Sequence, residues 1–411
     1  MSSNTSQKTL PFGEFVALLA LLMSLVAMAI DAVLPAMIQI GQAYQVENTN
    51  DLQLIVGVLF GGLAIGQVIY GPISDSAGRK IAIYLGLLTF LIGSFISAFA
   101  DSYEMMLIGR FIQGVGVSGP KVVTVALVRD QFEGPAMARV MSFVMAVFII
   151  MPAVAPSIGA GILHLMGWRE IFGFFVLLTG LTCIWFAIRQ PETLPKDKRI
   201  PLSLTTIWQG TKETMSHPVS RAYTLASGLI FGAFVSYLST AQLLFKDIFQ
   251  IDELFPLYFA GLALFVGIAS LMNGRLVMKY GMQHLATLAM QGMMIFSGAF
   301  LLLLWLNDGE ASLWLFMGFT ALIFGCIGLL FGNMNALAMQ PMGHIAGIAS
   351  SIIGAVSTLV SIIFGGMIGQ TYNQSLYPLF IAFALFAFGA LLISRSVRLE
   401  ALKQQQEKGT S

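Results

Sequence analysis

DLQLIVGVLFGGLAIGQVIYGPISDSAGRKIAIYLGLLTFLIGSFISAFA, residues 51–100, reads as two apolar runs around one short polar loop. Each run, 51–73 and 81–100, approaches the roughly 20 apolar residues that carry a helix across about 30 Å of hydrocarbon. The loop between them, Gly71-Pro72-Ile73-Ser74-Asp75-Ser76-Ala77-Gly78-Arg79-Lys80, holds the only charges of the stretch after Asp51 and before residue 100. The pattern is a hairpin of membrane spans.

The same pattern continues in both directions. Apolar segments fall at about 13–36, 51–73, 81–100, 104–128, 138–163 and 170–189, and again at about 222–245, 254–276, 284–306, 312–337, 343–369 and 376–394. Composition agrees: 57% of the 411 residues are hydrophobic, 10% are charged and mean hydropathy is +0.84. A soluble domain keeps its surface wet with roughly 25% charged residues, so lipid must be much of this chain's solvent. The expectation is an all-α membrane protein of twelve transmembrane helices in two six-helix pseudo-repeat halves. The parts are an N-terminal bundle at 1–190, a cytoplasmic linker at 191–220, a C-terminal bundle at 221–395 and a cytoplasmic tail at 396–411. A weak repeat supports the halving: Gly274-Arg275-Leu276-Val277-Met278-Lys279-Tyr280-Gly281 follows span 8 as Gly71 to Lys80 follows span 2. Parallel repeats place a substrate site at their interface near the midplane.

Cations orient the bundle. With both termini cytoplasmic, only Arg169 and Lys246 of the 21 basic residues fall in outer loops, and only Arg110 and Lys121 fall within spans. All the rest, from Lys8 to Lys408, are cytoplasmic, as the positive-inside rule requires. The polar stretch through Leu10 and the run from Phe15 to Ile30 lack a small-residue cleavage pattern and read as a retained first span. Cys183 and Cys326 sit in apolar runs without CxxC spacing and read as small hydrophobes. A net charge of +1 and the lack of a dense basic patch argue against a nucleic-acid partner. His164, His217, His284 and His344 have no partner spacing and no phosphate-binding Gly-Lys-Ser/Thr loop exists, so no enzyme activity, metal or cofactor is expected.

An ionised side chain inside a span needs a partner, a wet cavity or a function. Asp31 lies in the outer half of span 1, four residues before Pro35 and among Ala29, Ile30, Ala32 and Val33. A carboxyl short of water favours its neutral form, which allows reversible protonation. The alternative is a polar group at a Pro-broken helix end, wetted from outside. Arg110, six residues into span 4, sits at a similar depth, about 9 Å in at 1.5 Å per residue. If spans 1 and 4 are neighbours, the two charges can offset each other as a proton-sensing pair; otherwise Arg110 snorkels outward. Lys121 lies eleven residues further on, close to three turns and hence on the same face. It either extends a positive stripe, suited to substrates of carbonyl, phenolate or anionic character, or snorkels to the cytoplasmic surface.

Polar residues inside spans are candidates for lining the cavity: Gln67, Gln113, Tyr237, Gln242, Asn333 and Asn335. Each can instead join helices through interhelical hydrogen bonds. Gly61, Gly62 and Gly66, with Gly365, Gly366 and Gly369, read as points of close helix approach. Pro152 and Pro156, four apart on one face of span 5, remove two backbone donors and predict a bend.

These motifs resemble the major facilitator superfamily. Gly71, Asp75, Gly78, Arg79 and Lys80 match its signature between spans 2 and 3, though Ser76 stands where many members carry arginine. Arg110-Phe-Ile-Gln113-Gly114 resembles the Arg-x-x-Gln-Gly element of drug:proton antiporters. Asp31-Ala-Val-Leu-Pro35, Trp168-Arg-Glu-Ile-Phe172 and Pro191-Glu192-Thr193-Leu194 resemble the twelve-span bicyclomycin and chloramphenicol resistance branch. Ala155-Pro156-Ser-Ile-Gly159-Ala160-Gly161 keeps the proline and one glycine of the antiporter signature in span 5. The resemblance implies a proton-coupled exporter of amphipathic drug-like molecules, a monomer of the bacterial inner membrane. A dedicated exporter of amino acids, sugars or siderophores is the alternative on the same fold. It further implies Asp31 as the protonation site with Arg110 as partner, Asp75, Arg79 and Asp130 as a cytoplasmic latch, and Pro152, Pro156 and Gly159 as a mechanical weak point.

Overall fold

The computed structural model describes residues 10–132, 134–251 and 253–409. Lys8 in the polar N-terminal stretch and residues 410–411 of the tail lie outside the described residues.

Long apolar runs become helices because a helix satisfies its backbone internally, which lipid cannot do for it. In chain order these are α1 (Phe12–Asp31), α2 (Met37–Ala43), α3 (Leu54–Ala77), α4 (Arg79–Ala98), α5 (Tyr103–Gln131), α6 (Gly134–Leu165) and α7 (Arg169–Arg189). Then follow α8 (Leu204–Ser216), α9 (Pro218–Asp247), α10 (Phe255–Tyr280), α11 (Met282–Leu306), α12 (Leu313–Met339), α13 (Ala346–Gln370) and α14 (Tyr377–Gly409). Among the described residues, 11 helical stretches are long and apolar enough to cross a membrane. One of them, Leu313–Gln370, is 58 residues long and contains α12 and α13, separated by the tight turn Gln340–Ile345, where Met342 leaves helical geometry. The twelve expected spans are therefore present. Exposed faces are apolar, as at Leu88, Leu181, Ile188, Leu302 and Trp305.

Span 1 is built in pieces. Pro35 brings no N–H and disfavours helix in the residue before it, so α1 stops at Asp31, a 3₁₀ turn covers Leu34–Ala36 and α2 resumes at Met37. Two elements were not anticipated. The linker carries an amphipathic helix, α8, capped by Ser203, whose hydroxyl accepts from the Thr206 amide. The tail does not separate from span 12, because α14 runs on to Gly409.

Glycines bring α3, α4 and α5 together. A β-carbon at Gly62 or Gly114 would run into the backbone of the facing helix, at Phe111 and Leu59 respectively. Gly86 and Gly116 do the same for α4 against α5. Gly365 packs on Gly232 of α9, whereas a β-carbon at Gly366 would meet nothing within 4 Å, so that residue is no contact point. Two seams join early helices to late ones, α3 along α13 and α6 along α10. At the cation-poor end of the first seam, Asn50 Nδ2 donates to the carbonyls of Gln370 and Tyr372 (3.0 and 3.1 Å), and Gln370 Nε2 donates back to the Asn50 carbonyl (3.0 Å). Gln53 Nε2 adds a bond of 2.6 Å to the Gly369 carbonyl.

The internal repeat has a geometric counterpart. Gly78 alone separates α3 from α4, and Gly281 alone separates α10 from α11. Both occupy the region open to glycine, at φ 109° with ψ 160° and φ 77° with ψ 153°. Each stands seven residues after the glycine that opens its repeat, Gly71 and Gly274.

Gly114→Val should cost the ~1–3 kcal/mol of stability typical of overpacking, or more, and so lower the thermal unfolding midpoint in detergent. Gly366→Ala should leave stability unchanged or raise it by up to ~1 kcal/mol, the helix-propensity gain, and so not lower the midpoint. Equal midpoints for the two variants would contradict the packing described.

Candidate transport site

Asp31 ends α1 at the break and is 3% exposed. It makes no hydrogen bond or ion pair with another described residue. Tyr237 of α9 is fully buried, stacked on Phe259 and edge-on to Phe324 at 4.9 Å, with no hydrogen-bond partner for its hydroxyl among the described residues. Five residues on, Gln242 Nε2 donates to the Pro35 carbonyl at 2.7 Å. The first span's break is thus held from α9. Gly159 of α6 closes the other side, since a β-carbon there would collide with the Ala32 backbone. Its task is close approach, and Pro152 and Pro156 lie inside α6, which continues through both.

Arg110 is completely buried but does not pair with Asp31. Its Nε donates to the Ile55 carbonyl at 3.1 Å and its Nη1 to Gln113 Oε1 at 2.8 Å, leaving Nη2 without a partner among the described residues. Gln113 Nε2 passes the chain to Ser94 on α4 at 2.8 Å. A guanidinium in low dielectric has taken the nearest carbonyls, which correct the expected ion pair and the expected snorkelling alike. Gln113 is a strut between α4 and α5, not cavity lining.

Two other cavity candidates are struts as well. Gln67 Nε2 reaches Thr358 Oγ1 across the α3–α13 seam at 3.2 Å, and Asn333 exchanges amide bonds with Asn273 of α10 at 2.8 and 3.3 Å. Buried amides find interhelical partners because hydrocarbon offers none. Asn335 is exposed on α12. Lys121 is half-buried, with no hydrogen bond or ion pair to a described residue.

An aromatic ladder was not foreseen. Phe60 of α3 meets Phe231 of α9 edge-on at 5.5 Å, Phe231 meets Phe331 of α12 at 5.6 Å, and Phe234 meets Phe324 and Phe331. It continues from Tyr237, so α3, α9 and α12 share one aromatic wall beside the span-1 break. The only sequence signal was Phe and Tyr at helical spacing on span 7, shared with ordinary packing.

At the cation-rich end the expected charge cluster forms. Arg79, 3% exposed, donates from Nη1 to Asp75 Oδ1 (2.6 Å) and Ser74 Oγ (2.8 Å), and from Nε to Asp130 Oδ2 (2.7 Å). Asp75 lies against Gly347 in the first turn of α13, and Gly71 leaves room for Ser351 of the same helix. Lys80 is not part of the cluster: its Nζ donates to the Ala187 carbonyl at 3.2 Å and lies over Tyr84 and Phe186. Glu192 is the member that sequence reading missed. Its carboxylate accepts from the backbone N–H of Arg79, Lys80, Thr193 and Leu194 at 3.0–3.1 Å, capping α4 from the linker, while Thr193 Oγ1 donates to Asp130 at 2.9 Å. An acid just after a span becomes a cap only once the neighbouring helix start is known.

The sequence pattern of the Major Facilitator Superfamily matches residues 19–366. A Haemophilus influenzae bicyclomycin resistance protein homolog is 28% identical over 92% of this chain and 93% of its own length. An uncharacterized MFS-type transporter of Bacillus subtilis, YdgK, is 29% identical over 91% and 93%, and Multidrug resistance protein D of Escherichia coli 26% over 87% and 90%. Among solved structures, a partially occluded, inward-open form of the E. coli xylose transporter XylE superposes with a TM-score of 0.73, covering 93% of this chain and 97% of that one at 14% identity. The chain belongs to the Major Facilitator Superfamily and is a multi-pass membrane transporter.

Proposed function

We propose that this transporter exports amphipathic, drug-like small molecules against an inward flow of protons, by alternating access between bundles 1–190 and 221–395 of the bacterial inner membrane. The carrying observation is Asp31, a carboxyl 3% exposed at a broken helix end without an ion-pair partner among the described residues. An ionised carboxylate so placed costs several kcal/mol, whereas the neutral acid does not. The conformer described here therefore suits protonated Asp31, and losing the proton reweights it against a conformer in which water reaches the carboxylate. Arg110, held by Ile55 and Gln113, positions spans 2, 3 and 4 and contributes a fixed positive field. The aromatic wall of Phe60, Phe231, Phe331 and Tyr237 offers an apolar, polarisable face to a cargo, and Lys121 adds an unpaired amine. Both termini face the cytoplasm, following the uneven placement of cations. Names of relatives in the resistance branch support the cargo class. The charge cluster acts as the latch: Asp75 bridges Arg79 and the first turn of α13, whose helix dipole favours an anion.

Everted vesicles energised with a pH gradient and loaded with chloramphenicol-like, quinolone-like and cationic dye substrates test this reading. Asp31→Asn should abolish gradient-driven efflux while binding and folding persist; full proton-driven efflux by that variant would end the proposal. Arg79→Lys keeps the charge but loses the planar fork that reaches Asp75 and Asp130 together. Losing charge-assisted hydrogen bonds of about 1.5–3 kcal/mol should slow efflux roughly tenfold or more at equal amounts of folded protein. Unaltered rates would remove the latch.

A further inference from the structure

Arg169 is one of two basic residues in the loops of the cation-poor end, and neither the coupling site nor the latch uses it. It is nonetheless held firmly. Its guanidinium lies 4.2 Å from the centre of the Trp168 ring and 6.0 Å from that of Tyr44. Its Nη2 donates to the Ala100 carbonyl at 3.2 Å, an oxygen that also accepts from the Tyr44 hydroxyl at 2.8 Å. Trp168 and Ala100 are buried. Arg169 lines a hollow of about 430 Å³ between the ends of α4 and α7, within the ~300–1,000 Å³ usual for ligand sites.

The rest of the lining is of two kinds. Asp101 and Glu170 bring carboxylates, and neither forms an ion pair with Arg169 among the described residues. Phe95 of α4 and Phe99 just past its end bring apolar rings, stacked at 6.5 Å and 50% and 72% exposed, toward the lipid side. One cation and two anions kept apart, beside exposed rings at the membrane boundary, complement a molecule with a phosphate, an ammonium and acyl chains. A purely anionic headgroup would meet two carboxylates against one guanidinium. A quaternary ammonium offers no N–H donor to them. We propose that this hollow binds a phospholipid bearing a primary ammonium, phosphatidylethanolamine, with Arg169 on its phosphate, Asp101 and Glu170 on its ammonium and Phe95 and Phe99 along its chains. The site is independent of proton coupling and of the cargo.

Gly173 makes the test clean. It lines the hollow, yet a β-carbon there would meet nothing within 4 Å, so Gly173→Leu fills the space without disturbing the packing. Native mass spectrometry of the full chain, released from detergent with phosphatidylethanolamine, phosphatidylcholine or phosphatidylglycerol of identical chains, reads the binding. The wild type should retain phosphatidylethanolamine roughly tenfold over the other two, the scale of one or two charge-assisted bonds. Gly173→Leu should erase that preference with its unfolding midpoint in lipid-free detergent unchanged. The Asp101→Asn, Glu170→Gln double variant should lose the preference over phosphatidylglycerol, and guards against a folding defect in the first variant. Equal retention of the three lipids by the wild type, or a preference that survives in either variant, overturns the site.

Discussion

Pro35 takes one backbone donor out of the first span, and the surroundings of the buried carboxyl follow from that loss. The helix cannot run straight through, so α1 stops at Asp31 and a tight turn intervenes before α2. The buried carbonyl of Pro35 accepts from Gln242 of α9, and the backbone at Ala32 is met by Gly159 of α6. A chain break that would be ruinous in lipid is thus tolerated because protein on two sides supplies the partner and the fit. Asp31 is left at the one place in the span where helix geometry is already interrupted. Its burial is a consequence of the packing around the turn, not of a dedicated counter-ion.

Much of this was legible in the residues. The apolar runs predicted all twelve spans, ten of them to within a few residues at both ends, because bilayer thickness governs length and hydropathy; the first span's break and the run of the twelfth into the tail were not visible in them. Asp75, Arg79 and Asp130 came together as the motif implied. What the residues did not show was partner choice. Arg110 and Asp31 sit at similar depths, yet the guanidinium spends its donors on the Ile55 carbonyl of α3 and on Gln113, one turn along its own helix. Gln67 and Asn333 likewise became struts, since depth in a span says nothing about which way a side chain finds its partner. Glu192 and the aromatic ladder were hidden for the same reason: both are made by helices distant in the chain.

The network through Arg110 has a mechanical meaning. Ile55 is on α3, Arg110 and Gln113 are on α5 and Ser94 is on α4, so one connected set of bonds spans three helices already drawn close by glycine. Breaking any member would leave a buried donor or acceptor unmet, at about 1–3 kcal/mol each. A block this stiff moves as a unit. In the proposed alternating access, displacement would then fall on the seams where α3 meets α13 and α6 meets α10, and on the linker that Glu192 fastens to the start of α4.

The α3–α13 seam is fastened by different chemistry at its two ends. One end uses ionised groups around Arg79; the other uses only neutral amides and carbonyls, Asn50 and Gln53 against Gly369, Gln370 and Tyr372. Amides neither titrate across the biological range nor respond to ionic screening as charged pairs do. In the proposed orientation the amide end faces the exterior, whose acidity and salinity a bacterium does not control. The strength of that fastening would then not change with outside acidity or salt, leaving the response to protons to Asp31 and the response to ionic strength to the Arg79 cluster.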